Sequence, residues 1–218
     1  MKIVNVIIAF VLLVNCTDDL IQKGKRNLDL GDYQRAVYIF NKVVDRDPDC
    51  FDARLGLGKA LLQQISVGTQ RDELWIACLT NLEAARTLKP DTSIQKILSV
   101  AWHQRAVYLL ECKDSSGALQ SLLKSVEYDK TNAKPLNLAG ILYFNKGDLD
   151  KAFTLFSLVT DLDTLSPSGY FNAGIVLWTQ GDCPGSKRLW LDALVRFPEN
   201  KDLLYWAALA EKTCSTSR

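Results

Sequence analysis

The chain has 218 residues, of which 48% are hydrophobic and 23% charged, the balance of an ordinary globular protein with room for one sizeable core. Its formal net charge is +1, and without Lys2 the count is 25 basic (26 − 1) against 25 acidic groups. A chain this close to neutrality lacks the basic field that phosphate backbones require, so nucleic acid is not an expected partner.

Met1 and Lys2 precede an apolar run from Ile3 to Val14 that only Asn5 interrupts. The run is shorter than the roughly 20 residues that cross a bilayer and has the make-up of the apolar part of a secretory signal. It closes on Leu13-Val14-Asn15-Cys16. This resembles the lipobox of bacterial lipoproteins, with Asn15 where that box usually has Gly, Ala or Ser. The resemblance implies a signal peptide over residues 1–15 and lipidation of Cys16 as the first residue of the mature chain. A multi-acyl anchor of that type holds stably, whereas a single chain is marginal. Thr17, Asp18 and Asp19 read as the cap and acidic first turn of a helix, which leaves almost no tether between lipid and fold.

Helical stripes then recur in pairs. The first pair, over about 17–50, carries Leu20 and Gly24, a turn at Gly31-Asp32-Tyr33, then Ala36, Phe40 and Pro48. The second, over 51–92, has Leu57-Gly58 in its first helix. Eight extra residues near Ile65 to Asp72, read as a longer loop or as extended helix ends, delay Cys78, Leu82, Ala85 and Pro90 in its second. A six-residue slip around Thr92 to Leu98 precedes the third pair, over 99–132, with Trp102, Ala106, Ala118, Leu122 and Lys130. The fourth, 133–166, is the most regular: Leu136, Ala139, Gly140 and Tyr143, a break at Gly147-Asp148, then Ala152, Phe156 and Val159. The fifth, 167–200, has Tyr170, Ala173-Gly174, Gly181, Trp190, Ala193 and Pro198. A last helix, 201–212, ends on polar Glu211 and Lys212.

Small residues where helices cross, with a large one filling the gap beside them, are similar to the L-x2-A-G-x2-Y and A-x3-F pattern of the tetratricopeptide repeat family, whose unit is about 34 residues. The resemblance covers nearly all of the chain after Cys16. It implies an all-α fold: an α-solenoid of about five helix-turn-helix repeats plus a C-terminal capping helix, in one domain over 16–218.

Motifs for chemistry are fragmentary. His103 is the lone histidine and has no Cys, Asp or Glu set around it in sequence. Gly56-Leu57-Gly58-Lys59 lacks the Ser/Thr and the preceding strand of a phosphate loop, and Gly58 is better explained by a helix crossing. Asp45, Asp47 and Asp49 alternate like a calcium loop, but Cys50 and Gly56 occupy places that need Gly and Glu, so an acidic turn is the simpler reading. Ser93-Ile94-Gln95-Lys96 matches S-x-x-K without its companion motifs. No enzyme, cofactor or metal site is expected. Besides Cys16 there are Cys50, Cys78, Cys112, Cys183 and Cys214, with no C-x-x-C spacing and no pairing that the sequence favours. Cys78 stands where the repeat wants a small buried residue.

The resemblance also implies a concave groove lined by the first helix of each pair. The stripe about 100° from the core stripe brings Lys25, Lys59, Val107, Ile141, Ile175 and Leu209 to it. Phe144 and Trp178 lie one turn on, and Asn137, Phe171 and Tyr205 one turn back. Ile141, Ile175, Phe144 and Trp178 are expected to form a continuous exposed apolar strip, the kind of patch that marks a binding surface, unless the groove closes on itself with the last helix or the Ile65–Asp72 segment filling it. Lys134, Asn137 and Asn172 are at most a remnant of the basic clamp with which some family members hold a peptide's carboxylate.

These readings describe an envelope-anchored adaptor that binds a partner protein or peptide, on the periplasmic side of a bacterial outer membrane. By resemblance, lipidated arrays of this kind assist assembly of envelope complexes. The alternatives are a binding protein for a small apolar ligand delivered to a transporter, and a cell-surface lipoprotein.

Overall fold

The computed structural model describes residues 18–68 and 71–216, so the lipobox, Cys16 and Thr17 lie outside the described residues. Eleven helices and no strand occur among the described residues, which makes the chain all-α. They group into two compact units, one ending at Arg105 and the other starting at Ala106.

The first unit contains α1 (18–29), α2 (Tyr33–Val44), α3 (Phe51–Ser66), α4 (Asp72–Leu88) and the part of α5 (Thr92–Glu111) up to Arg105. Phe40 on α2 is fully buried, and it is what glycines on two other helices make room for. A Cβ added at Gly24 of α1 would stand 2.7 Å from its ring, and one at Gly56 of α3 would fall on the ring itself. On α4, Leu82 fills the same role toward Gly58, where a Cβ would stand 2.6 Å away. Gly58 is therefore a helix-crossing residue. Beside it the fully buried Cys78 thiol donates to the Gly58 carbonyl at 3.3 Å. With no water around to solvate a thiolate, burial pushes the Cys78 pKa up to about 12.

Both register breaks lie largely in helix. Of the two readings open near Ile65 to Asp72, extended helix ends hold: Ile65 is inside α3 and only 1% exposed, and α4 already starts at Asp72. The extra residues lengthen the pair to 16 and 17 residues, against 13 and 14 in the regular fourth pair. Buried Ile65 and Trp75 explain why the helices run on: each added turn carries an apolar residue into the core. Likewise Thr92 to Leu98 form the opening turns of the 20-residue α5, with Ile94 and Leu98 at 0% exposure.

The second unit continues with the end of α5, then α6 (Ser115–Tyr128), α7 (Ala133–Asn145), α8 (Leu149–Leu162), α9 (Ser168–Thr179), α10 (Cys183–Arg196) and α11 (Lys201–Thr216). One turn design recurs. Gly147 and Gly181 adopt φ of +84° and +85°, left-handed values at which a side chain is strained. The next residue's N–H bonds back five positions, Asp148 to Tyr143 and Asp182 to Leu177, both at 2.9 Å. Its carboxylate then caps the following helix, Asp148 accepting from Lys151 N at 3.3 Å and Asp182 from Gly185 N at 2.9 Å. Between α5 and α6 the same design is built with Lys113 at φ +64° instead of glycine, capped by Asp114.

The core of this unit is a series of matched pairs. Ala106 shares a cluster with Leu122, Gly140 yields to Phe156, and Gly174 yields to Trp190. As the residue on the first helix shrinks, the one facing it grows. The last helix is longer than expected, reaching Thr216, and buries Leu203, Ala207 and Ala210 against Trp190 and Ala193. A disulfide between Cys183 and Cys214 staples α11 to the start of α10, and Lys187 pairs with Glu211 at 2.9 Å on the same two helices. Cys50, Cys78 and Cys112 are free thiols.

Candidate binding surfaces

In the first unit the first helices carry two of the expected groove lysines, Lys25 and Lys59. Lys25 is neutralised by Asp52 at 2.7 Å, so it is not an open groove cation. Lys59 is half-buried and borders a cleft of about 510 Å³. From α3 this cleft also takes Leu62 and Gln63; from α5 it takes Lys96, Ile97 and Val100. Leu28 at the end of α1 and Tyr33 at the start of α2 complete it. None of these residues is acidic. Apart from Lys59, sequence reasoning placed none of them at a site. The available signal was the pair of register breaks, since Lys96 and Ile97 lie in the stretch that slips the third repeat.

In the second unit, Asn137 on α7 and Asn172 on α9 are brought together. The Asn172 amide Nδ2 donates to Asn137 Oδ1 at 2.9 Å, linking two consecutive first helices. Both residues are half-buried. One turn further along, Ile141 is 37% exposed, while Ile175 is half-buried. Lys134 is exposed at the α7 start, and Val107 is exposed on α5.

The aromatics do not form the expected exposed strip. Phe144 packs against the cluster of Ala152, Phe156, Ala173 and Val176. Trp178 lies with its ring centroid 6.2 Å from both Trp190 and Trp206, half-buried among them. Phe171 packs on the same cluster, and its carbonyl accepts the Trp190 indole N–H at 3.2 Å. The physical reason is α11: Trp206, which the sequence reading did not single out, covers the side of Trp178 that the stripe alone leaves open. Tyr205 remains exposed at 64% and stands edge-on to Trp206 at 5.9 Å. Leu209 is half-buried. Of the expected groove residues in this unit, Lys134, Val107, Ile141 and Tyr205 are exposed, and the asparagine pair is half-buried.

Among the described residues no group of His, Cys, Asp and Glu is placed to hold a metal ion, and no helix is long and apolar enough to cross a membrane. Asp47 serves the turn between the first two pairs, its carboxylate accepting from Asp49 N at 3.2 Å.

The family model for the tetratricopeptide repeat matches residues 21–71 and 171–211. Both stretches carry tetratricopeptide repeats. Solved structures agree in fold. The MamA protein is 18% identical with a TM-score of 0.56, over 83% of this chain and 91% of that one. YrrB, described as a tetratricopeptide-repeat protein with an unusual peptide-binding site, is 19% identical with a TM-score of 0.54, over 85% and 89%. The repeat domain of Arabidopsis OM64 is 13% identical with a TM-score of 0.50, over 55% of this chain and 98% of that one. Among curated proteins none matches. Repeat folds of this kind suggest a scaffold that binds proteins or peptides, and nothing points to catalysis.

Proposed function

We propose that the protein is an adaptor anchored to the bacterial envelope by a lipid on Cys16, which holds an extended peptide segment of a partner protein across α7 and α9. The carrying observation is the hydrogen bond between Asn137 and Asn172. An amide has two N–H donors and an acceptor oxygen, so this single bond leaves the Asn137 N–H groups and the Asn172 oxygen with capacity to spare. A peptide backbone offers the complementary alternation of C=O and N–H. Ile141 beside the pair supplies apolar contact for a side chain. That YrrB is described by its peptide-binding site is in keeping with this use of the fold.

Export is supported by two features. The Leu13 to Cys16 run resembles a lipobox, and a disulfide such as Cys183–Cys214 persists in oxidising compartments and is rare in a reducing cytosol. A location on the periplasmic side of the outer membrane fits both.

Peptides selected from a displayed random library on the wild-type protein should bind Asn137→Ala and Asn172→Ala more weakly. Each loss should be about 1–3 kcal/mol, or roughly 5- to 150-fold in affinity. Unchanged affinity in both variants would refute the asparagine pair as the contact. The anchor has its own test: Cys16→Ser should move the protein from membranes to the soluble fraction and abolish labelling by an alkynyl fatty acid. A wild-type protein that stays on membranes without any such label would remove the lipid from the account.

A further inference from the structure

We infer that the cleft of the first unit is a binding site for a single-chain amphipathic carboxylate, a long-chain fatty acid, independent of the peptide surface on α7 and α9. Its volume of about 510 Å³ falls within the roughly 300–1,000 Å³ of small-molecule pockets, and its make-up follows their rule of apolar walls with a few convergent polar groups. Leu28, Leu62, Ile97 and Val100 provide the walls.

Charge settles the sign of the ligand. Lys59 and Lys96 both border the cleft, no acid does, and neither lysine has an ion-pair partner among the described residues. Lys25 of the same unit, by contrast, is paired with Asp52. Two ammonium groups bordering a partly apolar cleft suit an anionic ligand and disfavour a cationic one.

Hydrogen-bonding capacity separates an acyl chain from a peptide. An extended peptide would bring an N–H donor at every residue, each needing an acceptor once desolvated. Lysine ammonium groups only donate, and the lining side chains offer no acceptor other than the Gln63 amide oxygen and the Tyr33 hydroxyl. A hydrocarbon chain has no donors to strand, and its one anionic head is what two ammonium groups suit. The irregular helices also gain a reason: Lys96 and Ile97 lie in the lengthened start of α5, so the slip that breaks the repeat supplies one cation and one wall.

Isothermal titration of the mature-length protein with dodecanoate below its micellar range tests this, with dodecanol and dodecylamine as matched chains. Saturable one-to-one binding of dodecanoate is expected, with affinities for the alcohol and the amine at least tenfold weaker. Lys59→Gln and Lys96→Gln should each weaken dodecanoate at least tenfold, and Val100→Trp, which fills the cleft, should abolish binding. Lys96 and Val100 are exposed, so their variants should keep the wild-type melting profile, and the lysine variants carry the test if the tryptophan disturbs packing. No saturable binding, equal affinity for the alcohol, or affinity unaltered by both lysine changes would overturn the assignment.

Discussion

Replacing glycine by alanine inside a helix ordinarily stabilises it by about 1 kcal/mol, because alanine loses less backbone entropy. Gly174 should reverse that sign. Its added Cβ would fall on the Trp190 indole, 2.8 Å from Cδ1 and closer still to Cε2 and Nε1. Trp190 cannot swing aside freely. It is fully buried, its centroid lies 5.5 Å from Trp206 and 6.2 Å from Trp178, and its N–H is bonded to the Phe171 carbonyl at 3.2 Å. Overpacking costs about 1–3 kcal/mol, and a buried N–H that loses its acceptor costs about 1–3 more. Set against the propensity gain, Gly174→Ala should lose about 3 kcal/mol.

Urea unfolding followed by far-ultraviolet circular dichroism measures this without relying on the tryptophans. The control is already present in the chain. The third repeat has Ala106 where the fifth has Gly174, and Leu122 where it has Trp190, both fully buried. The double change Gly174→Ala with Trp190→Leu copies that solution. In the Trp190→Leu background the alanine should therefore be neutral or stabilising by up to about 1 kcal/mol. If Gly174→Ala alone were as stable as the native protein, the matching of small and large residues would not be what sets the helix crossing.

Reduction of Cys183–Cys214, or its replacement by serines, should lower stability by about 3–4 kcal/mol, the loop-closure value for a separation of 31 residues, read as a shift in urea midpoint with and without reductant. Trp178→Ala should cost about 2–3 kcal/mol, less than the 3–5 of a fully buried aromatic, because Trp178 is half-buried; a loss near zero would return it to the open groove. Lys113→Gly should stabilise by about 1 kcal/mol in the same unfolding assay, since φ of +64° is strained for lysine and free for glycine. At pH 8, iodoacetamide should label exposed Cys112 rapidly and Cys78 only on unfolding, as a thiol pushed up to about 12 holds almost no thiolate; mass spectrometry of the native protein decides it.

The helix pairs were legible in the sequence because their rule is local: a small residue, a large partner about 16 positions on and a turn residue between them, as in Gly140, Phe156 and Gly147. Gly58 and Cys78 were readable by the same rule despite the displaced second helix, since each needed only its neighbour across one crossing. Exposure was not legible in that way. A stripe angle says which side of α9 Trp178 faces, but how deeply it sits depends on Trp206, whose place is decided by where α11 lies. The register breaks stayed open for the opposite reason. An inserted stretch has no position in the repeat pattern, so spacing alone did not choose between a longer loop and extended helix ends. Ile65, Ile94 and Leu98 carry helical spacing of their own, and burying them outweighs the regularity of the array, so the helices lengthen. Lengthening moves more than the core residues. Every added turn on α5 that buries Ile94 and Leu98 also turns Lys96 and Ile97 toward the cleft. The slips that break the register of the second and third repeats thus also supply part of the lining of the cleft, which the evenly spaced fourth repeat has no added turn to provide.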